Sequence, residues 1–196
     1  MIYLDNAATT YPKPPSVARA MTKCIKEYCG NPGRSAHPLA LRSAEAVFDT
    51  RSEICALFGT GKQENVIFCY NATHAINKVL SGLVRPGDGV ITTNIEHNSV
   101  RRPVAALCAL RGASYDMVNA LLPEEELIAE IESKITSRTR IVAALHASNV
   151  CSVVLPVRRI GELCKKHGLI YVLDASQGAG IDDINIPRVG VRVLCA

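Results

Sequence analysis

The sequence predicts an α/β protein of three layers, a mainly parallel sheet with helices on both faces. Two patterns carry that reading. From residue 66 onward, short apolar, β-branched runs alternate with amphipathic stretches of helical length, the order that βαβ units require. Several of those runs end abruptly in polar residues, as buried strands do at the carboxyl edge of a parallel sheet, where open α/β folds bind ligands.

The elements follow in order. Residues 2–10 read as an extended entry closing on a polar turn from Asp5 to Thr10, and Pro12, Pro14 and Pro15 are expected to keep the next piece non-helical. Ser16 is a good N-cap, and a helix over 17–29 places Val17, Met21, Cys24, Ile25 and Tyr28 on one face, with Gly30 as its C′ residue. After the loop from Asn31 to Pro38, a long helix over 39–58 is stopped by Gly59. Strands are then expected at 66–70, 90–93, 115–118, 141–145 and 170–174, with helices at 75–84, 100–110, 124–135 and 157–167 between them. Residues 189–195 again have strand character.

Composition narrows the function. The 196 residues, 48% apolar and 20% charged, suit an ordinary globular chain with a real core. A net charge of +4 without a Lys/Arg block, and with 5% aromatics, gives nucleic acid no surface to stack on. Residues 141–157 carry no formal charge, but His146, Ser148, Asn149 and Ser152 interrupt them, so no membrane span is expected. The start lacks a basic, apolar leader, which points to the cytoplasm. Eight scattered cysteines without a CxxC pair read as thiols in a reducing compartment, and no metal site is expected.

Chemistry gathers at four strand ends. Asn71-Ala72-Thr73-His74 opens a helix, where free N–H groups and a hydroxyl suit a phosphate; a plain N-cap is the alternative. Glu96-His97-Asn98-Ser99 offers an imidazole that could stack on a flat ring, or that is merely structural. Asn149 is an uncharged donor for a phenolate-type oxygen. Asp174, followed by Gln177, is either a functional carboxylate or the cap of a turn. Phosphate seat, imidazole, amide donor and buried carboxylate are together what pyridoxal 5'-phosphate requires.

In order and spacing these segments resemble the cysteine desulfurase branch of the class V aminotransferase family. The resemblance rests on Leu4-Asp5-Asn6-Ala7-Ala8-Thr9-Thr10, on Asn31 through Arg34 to His37, which is similar to the N-x-x-R-x-x-H loop of a selenocysteine lyase-like subgroup, and on Asp174-x-x-Gln177. It implies the type I pyridoxal phosphate-dependent transferase fold. Ala72 and Thr73 would hold the phosphate and His97 would stack on the ring. Asn149 and Gln177 would face the ring hydroxyl, and Asp174 would pair with the ring nitrogen. His97 and Gln177 would also serve catalysis, and Asn31, Arg34 and His37 the substrate. Residues 1–45 would be an arm and helix contributed to a small domain, and 46–196 an incomplete cofactor-binding large domain.

The implied reaction converts L-cysteine to L-alanine and passes sulfur to an acceptor thiol, in a homodimer with a possible sulfur-acceptor protein. A selenocysteine lyase or another class V aminotransferase is the alternative, and a catalytically inactive binding fragment a third. The family's cofactor lysine follows the strand that here is 189–195, and its nucleophilic cysteine lies on a later loop. Neither is matched, so the chain is expected to be the N-terminal part of such an enzyme, inactive alone.

Overall fold

Five parallel strands form the centre of the computed structural model, which describes residues 2–6, 9–34 and 37–196. The chain divides into two units, Met1–Ile67 and Phe68–Ala196. The first holds α1 (Pro15–Glu27), α2 (Pro38–Phe58) and a 3₁₀ turn, Gln63–Asn65. The second holds α3 (Ala72–Leu83), β1 (Gly89–Thr93), α4 (Asn98–Arg111), β2 (Ser114–Val118), α5 (Glu124–Ser133), β3 (Thr139–Leu145), α6 (Val157–Lys166), β4 (Ile170–Asp174), α7 (Ile186–Val189) and β5 (Val193–Cys195).

The first unit corrects three expectations. Pro15 opens α1 and Pro14 is its N-cap, so neither the proline block nor the Ser16 cap holds. A first-turn proline needs no N–H partner, and its φ is already helical. Gly30 is not the helix terminator, because α1 closes on Tyr28. A Cβ on Gly30 would lie 2.9 Å from the Leu39 carbonyl carbon, so the glycine instead permits close approach to the start of α2. The run 66–70 forms no strand. Its polar groups bond to side chains: Arg51 Nε donates to the Val66 carbonyl at 3.1 Å, and the Tyr70 N–H to His74 Nδ1 at 3.3 Å. β-Branched composition fits a half-buried pleat, and this run, with Ile67 77% exposed, has no strand to pair with among the described residues. The end of α2 is as expected, at Gly59 with φ 68°.

In the second unit the sheet order is β2-β1-β3-β4-β5. Val90, Ile141, Ala143 and Val172 share one face with Ile76 and Leu80 of α3 and Val100 and Val104 of α4. The alternate positions, Ile91, Val142, Tyr171 and Leu173, are equally buried on the other face, where α5 and α6 pack. Hence the strands read as continuous apolar runs: both faces are covered. Each fully buried aliphatic side chain contributes about 1.5–3 kcal/mol.

Chain order reverses between β1 and β3. The chain steps outward from β1 to β2, then crosses back past β1 to β3 and continues to β4 and β5. Right-handed crossovers in opposite directions need opposite faces, which is why α4 and α5 lie on different sides. The loops after β1 and β3 therefore diverge and leave a crevice at the carboxyl edge. Strand character over 189–195 is confined to the last residues. Pro187 and the Asn185 cap start α7, the Asn185 Oδ1 accepting the Arg188 N–H at 3.1 Å, and Gly190 at φ 77° ends it. No helix among the described residues is long and apolar enough to cross a membrane.

Candidate active site

Register places the strand ends at one level. Leu145 pairs with Asp174, Asp174 with Cys195, and Thr92 with Ala143. With strands about 4.8 Å apart, the end of β1 lies roughly 10 Å from that of β4, a cofactor-sized span. Helix α3 runs antiparallel to the strands, since its C-terminus leads into the start of β1. Its N-terminus therefore lies at the carboxyl edge.

Asp174 sits at the floor, 8% exposed. Its Oδ1 accepts the Ser176 N–H at 3.0 Å and the Ser176 hydroxyl at 2.5 Å. Its backbone carbonyl accepts the His146 N–H at 2.8 Å, tying β4 to the loop after β3. Cys195, beside Asp174 in the sheet, is pushed up to about 12 by burial first, then by the Asp174 and Cys69 charges, so its thiol stays protonated.

The other residues singled out in the sequence take distinct places. His97 is exposed and caps α4, its Nδ1 accepting the Ser99 N–H at 3.1 Å. Thr73 is exposed in the first turn of α3, next to half-buried Ala72, and Asn71 Oδ1 caps that helix through the His74 N–H at 2.8 Å. Asn149 is exposed in the loop after β3, and Gln177 is half-buried three residues past Asp174. All of these belong to the second unit, at the carboxyl edge. Asn31, Arg34 and His37 belong to the first unit, in the loop before α2; Asn31 Oδ1 accepts the Gly33 N–H at 3.0 Å, and His37 caps α2. Of the segments that carry the resemblance, Ala7, Ala8, Ser35 and Ala36 lie outside the described residues.

Two buried groups escaped the sequence reading. Glu96, one residue before His97, is 5% exposed. Its Oε1 accepts the Thr93 hydroxyl at 2.6 Å and the Leu145 N–H at 2.9 Å, so one carboxyl joins the ends of β1 and β3. Its Oε2 has no partner among the described residues. Burial pushes this carboxyl up to about 8; the bonds from Thr93 and Leu145 oppose that rise, and the Asp174 charge adds to it. His146, 4% exposed, lies flat against Gly178, where an added Cβ would fall 1.9 Å from its Nδ1. Its Nε2 is 3.6 Å from Asp182. The signal in the sequence was position alone: each follows a strand end by no more than three residues.

Against this geometry, the aminotransferase class-V description matches residues 2–196. The chain belongs to that family. A probable cysteine desulfurase of Methanothermobacter thermautotrophicus (strain Delta H) is 35% identical over 193 residues, covering 96% of this chain and 47% of the relative. The apo cysteine desulfurase of Thermococcus onnurineus NA1 superposes with a TM-score of 0.88 at 29% identity, over 98% of this chain and 48% of that one. A C-DES variant with glycine covalently linked to its PLP cofactor shares the fold, with a TM-score of 0.79 at 23% identity, over 93% of this chain and 49% of that one. The family implies pyridoxal phosphate, and the structural neighbours have the type I fold. The chain spans about half the length of the curated relatives it matches.

The residues present fit that cofactor. A buried carboxylate at a strand end can receive a ring N–H, and a helix N-terminus with an exposed hydroxyl can receive a phosphate. The lysines of the second unit lie elsewhere: Lys78 inside α3, Lys134 after α5, and Lys165 and Lys166 at the end of α6, where Lys166 Nζ pairs with Glu132 at 2.7 Å. The ends of α5 and α6 are at the amino edge.

Proposed function

We propose that this chain serves a pyridoxal phosphate-dependent cysteine desulfurase, converting L-cysteine to L-alanine and passing sulfur to an acceptor thiol. One observation carries the reading: buried Asp174 shares the carboxyl edge of the sheet with the His97 imidazole and the α3 N-terminus. When bound, the cofactor supplies an electron-accepting ring next to the substrate α-carbon. Asp174 holds the proton on the ring nitrogen, a charge pairing strengthened by burial. Thr73 and the N–H groups at Ala72 and Thr73 hold the phosphate. His97 stacks on the ring, Asn149 and Gln177 orient its hydroxyl oxygen, and Arg34, with Asn31 and His37, receives the substrate carboxylate. His97 and Gln177 also take part in proton movement.

Residues 1–45 contribute to a small domain in this reading, and 46–196 form the cofactor-binding part. The active enzyme is a cytoplasmic homodimer that hands sulfur to a protein acceptor. Desulfurase-named relatives at 30% identity or more support the cysteine substrate.

Titration of the 196-residue chain with pyridoxal phosphate, followed by absorbance and fluorescence, tests the reading. Saturable binding that weakens in Asp174→Ala and in Thr73→Ala supports it; equal binding by all three chains overturns it. Borohydride reduction with peptide mapping adds a second check. A pyridoxyl group at one specific lysine, such as Lys78 or Lys166, would contradict the placement of the ring at Asp174.

A further inference from the structure

We propose that a cavity between α4 and the edge strand β2 binds a phosphate monoester. This site is separate from the one built on Asp174 and does not depend on the desulfurase reading. The cavity, about 270 Å³, is lined by Thr92, Asn98, Arg101, Arg102, Tyr115, Met117 and two small aliphatic residues of α4. None of these belongs to the residues assigned above to cofactor or substrate.

The observation that points to a ligand is Thr92. It is 2% exposed, lines the cavity, and its hydroxyl has no hydrogen-bond partner among the described residues. Buried hydroxyls in folded proteins are nearly always paired, so an unpaired one on a residue that lines a cavity marks a place for a polar guest. Asn98 adds the first residue of a 14-residue helix, whose dipole favours an anion there. The His97 side chain accepts the Ser99 N–H, and the His97 carbonyl accepts those of Val100 and Arg101, so the Asn98 N–H is left facing outward.

Charge fixes the class of guest. Arg101 and Arg102 are exposed, neither side chain forms an ion pair or hydrogen bond among the described residues, and no Asp or Glu lines the cavity. Two guanidinium groups, an amide, a backbone N–H and a hydroxyl make a set of donors facing no negative charge. A phosphate monoester carries about −1.5 to −2 at neutral pH and three acceptor oxygens, which matches them; a monocarboxylate leaves one arginine uncompensated. Tyr115 and Met117, 41% and 45% exposed on β2, offer apolar surface to the organic part of such a ligand.

Isothermal titration calorimetry of the 196-residue chain with phenyl phosphate, inorganic phosphate and benzoate tests this. Phenyl phosphate should bind, and more tightly than benzoate. The double variant Arg101→Gln/Arg102→Gln should weaken it about tenfold or more, and Thr92→Val several-fold. Arg158→Gln, an exposed cation on α6, should leave it unchanged. Circular dichroism confirms folding, and Arg101→Lys replaces the double variant should that one fail to fold. Tighter binding of phenyl phosphate than of inorganic phosphate assigns the site to an organic phosphate; equal binding assigns it to free phosphate, the same chemistry. Loss of binding in Thr73→Ala with the double variant unaffected overturns the proposal. So does benzoate binding as tightly as phenyl phosphate, or the absence of binding at millimolar concentration. A concentration-dependent dimer that covers β2 and excludes every probe also overturns it.

Discussion

The two edges of the sheet treat polar groups in opposite ways. At the amino edge cations tie the helix and strand ends together. Arg111 Nη1 donates to the Ser81 carbonyl at 2.8 Å and to that of Val84, and Arg140 donates to the Leu83 carbonyl while pairing with Asp88 at 3.1 Å. Two cations thus close the C-terminus of α3, where the helix dipole is negative. At the carboxyl edge, Thr92 Oγ1, Glu96 Oε2 and His146 Nδ1 are buried without partners among the described residues. Satisfied groups stabilise a fold, whereas open ones cost stability and persist where something else uses them. Under the proposed function, the amino edge serves structure and the carboxyl edge chemistry.

That contrast is open to attack from either side. The largest effect on stability is expected at the amino edge. Arg140→Ala strips Asp88 and the Leu83 carbonyl of a half-buried cation, and urea unfolding should show a loss of about 3 kcal/mol. Pyridoxal phosphate affinity of the folded fraction should be unchanged. A loss of affinity with stability intact would erase the division between the edges.

Asp174→Ala should do the reverse. Removing the turn bonds to Ser176 costs stability about 1 kcal/mol, while cofactor affinity falls about a hundredfold. A variant that melts early yet binds the cofactor as the parent does would make Asp174 a turn cap and nothing more.

Glu96 sharpens the comparison through pH. Its folded carboxyl is raised to about 8 from an ordinary 4.5, so the folded state holds the proton more tightly than the unfolded one. Its contribution is fully present below about 4.5 and is lost as pH rises to about 8, a drop of roughly 2 kcal/mol after allowance for relaxation. Asp174 and Tyr171 are the titratable neighbours that share this field. Glu96→Gln keeps an oxygen for Thr93 and Leu145 and should flatten the pH dependence of the unfolding midpoint between those limits. An identical slope in the variant would assign it to another group.

The smallest effect belongs to Asn71→Ala, which removes the α3 cap and should cost about 1 kcal/mol in thermal unfolding. A larger loss confined to phosphate-bearing ligands would show that the cap also orders the phosphate seat.

Much of this was readable beforehand. Periodicity located α2, α4, β1, β3 and β4 within a few residues, because those segments are long or buried on both faces and carry their own stop signals, such as Gly59 and Gly112 with φ 68° and 61°. Asp174 was legible because a carboxylate ending a β-branched run has few other places to go. The run 66–70 misled because strand propensity is local while pairing is not. Pro15 misled because a proline breaks a helix or opens one according to its position in the first turn.

Sequence alone determined the alternation of strands and helices, the family resemblance and the residue types at each strand end, all of them consequences of neighbours within one turn or one pleat. It could not rank those residues by burial. Glu96 and His97 are adjacent in the chain, yet one is buried and the other exposed. Only the strand order, with its reversal between β1 and β3, decides which side chains share the crevice. The physical reason is that burial and charge coupling depend on what comes from other strands: Glu96 meets Leu145 across 49 residues of sequence, and that contact puts its carboxyl in a dry place.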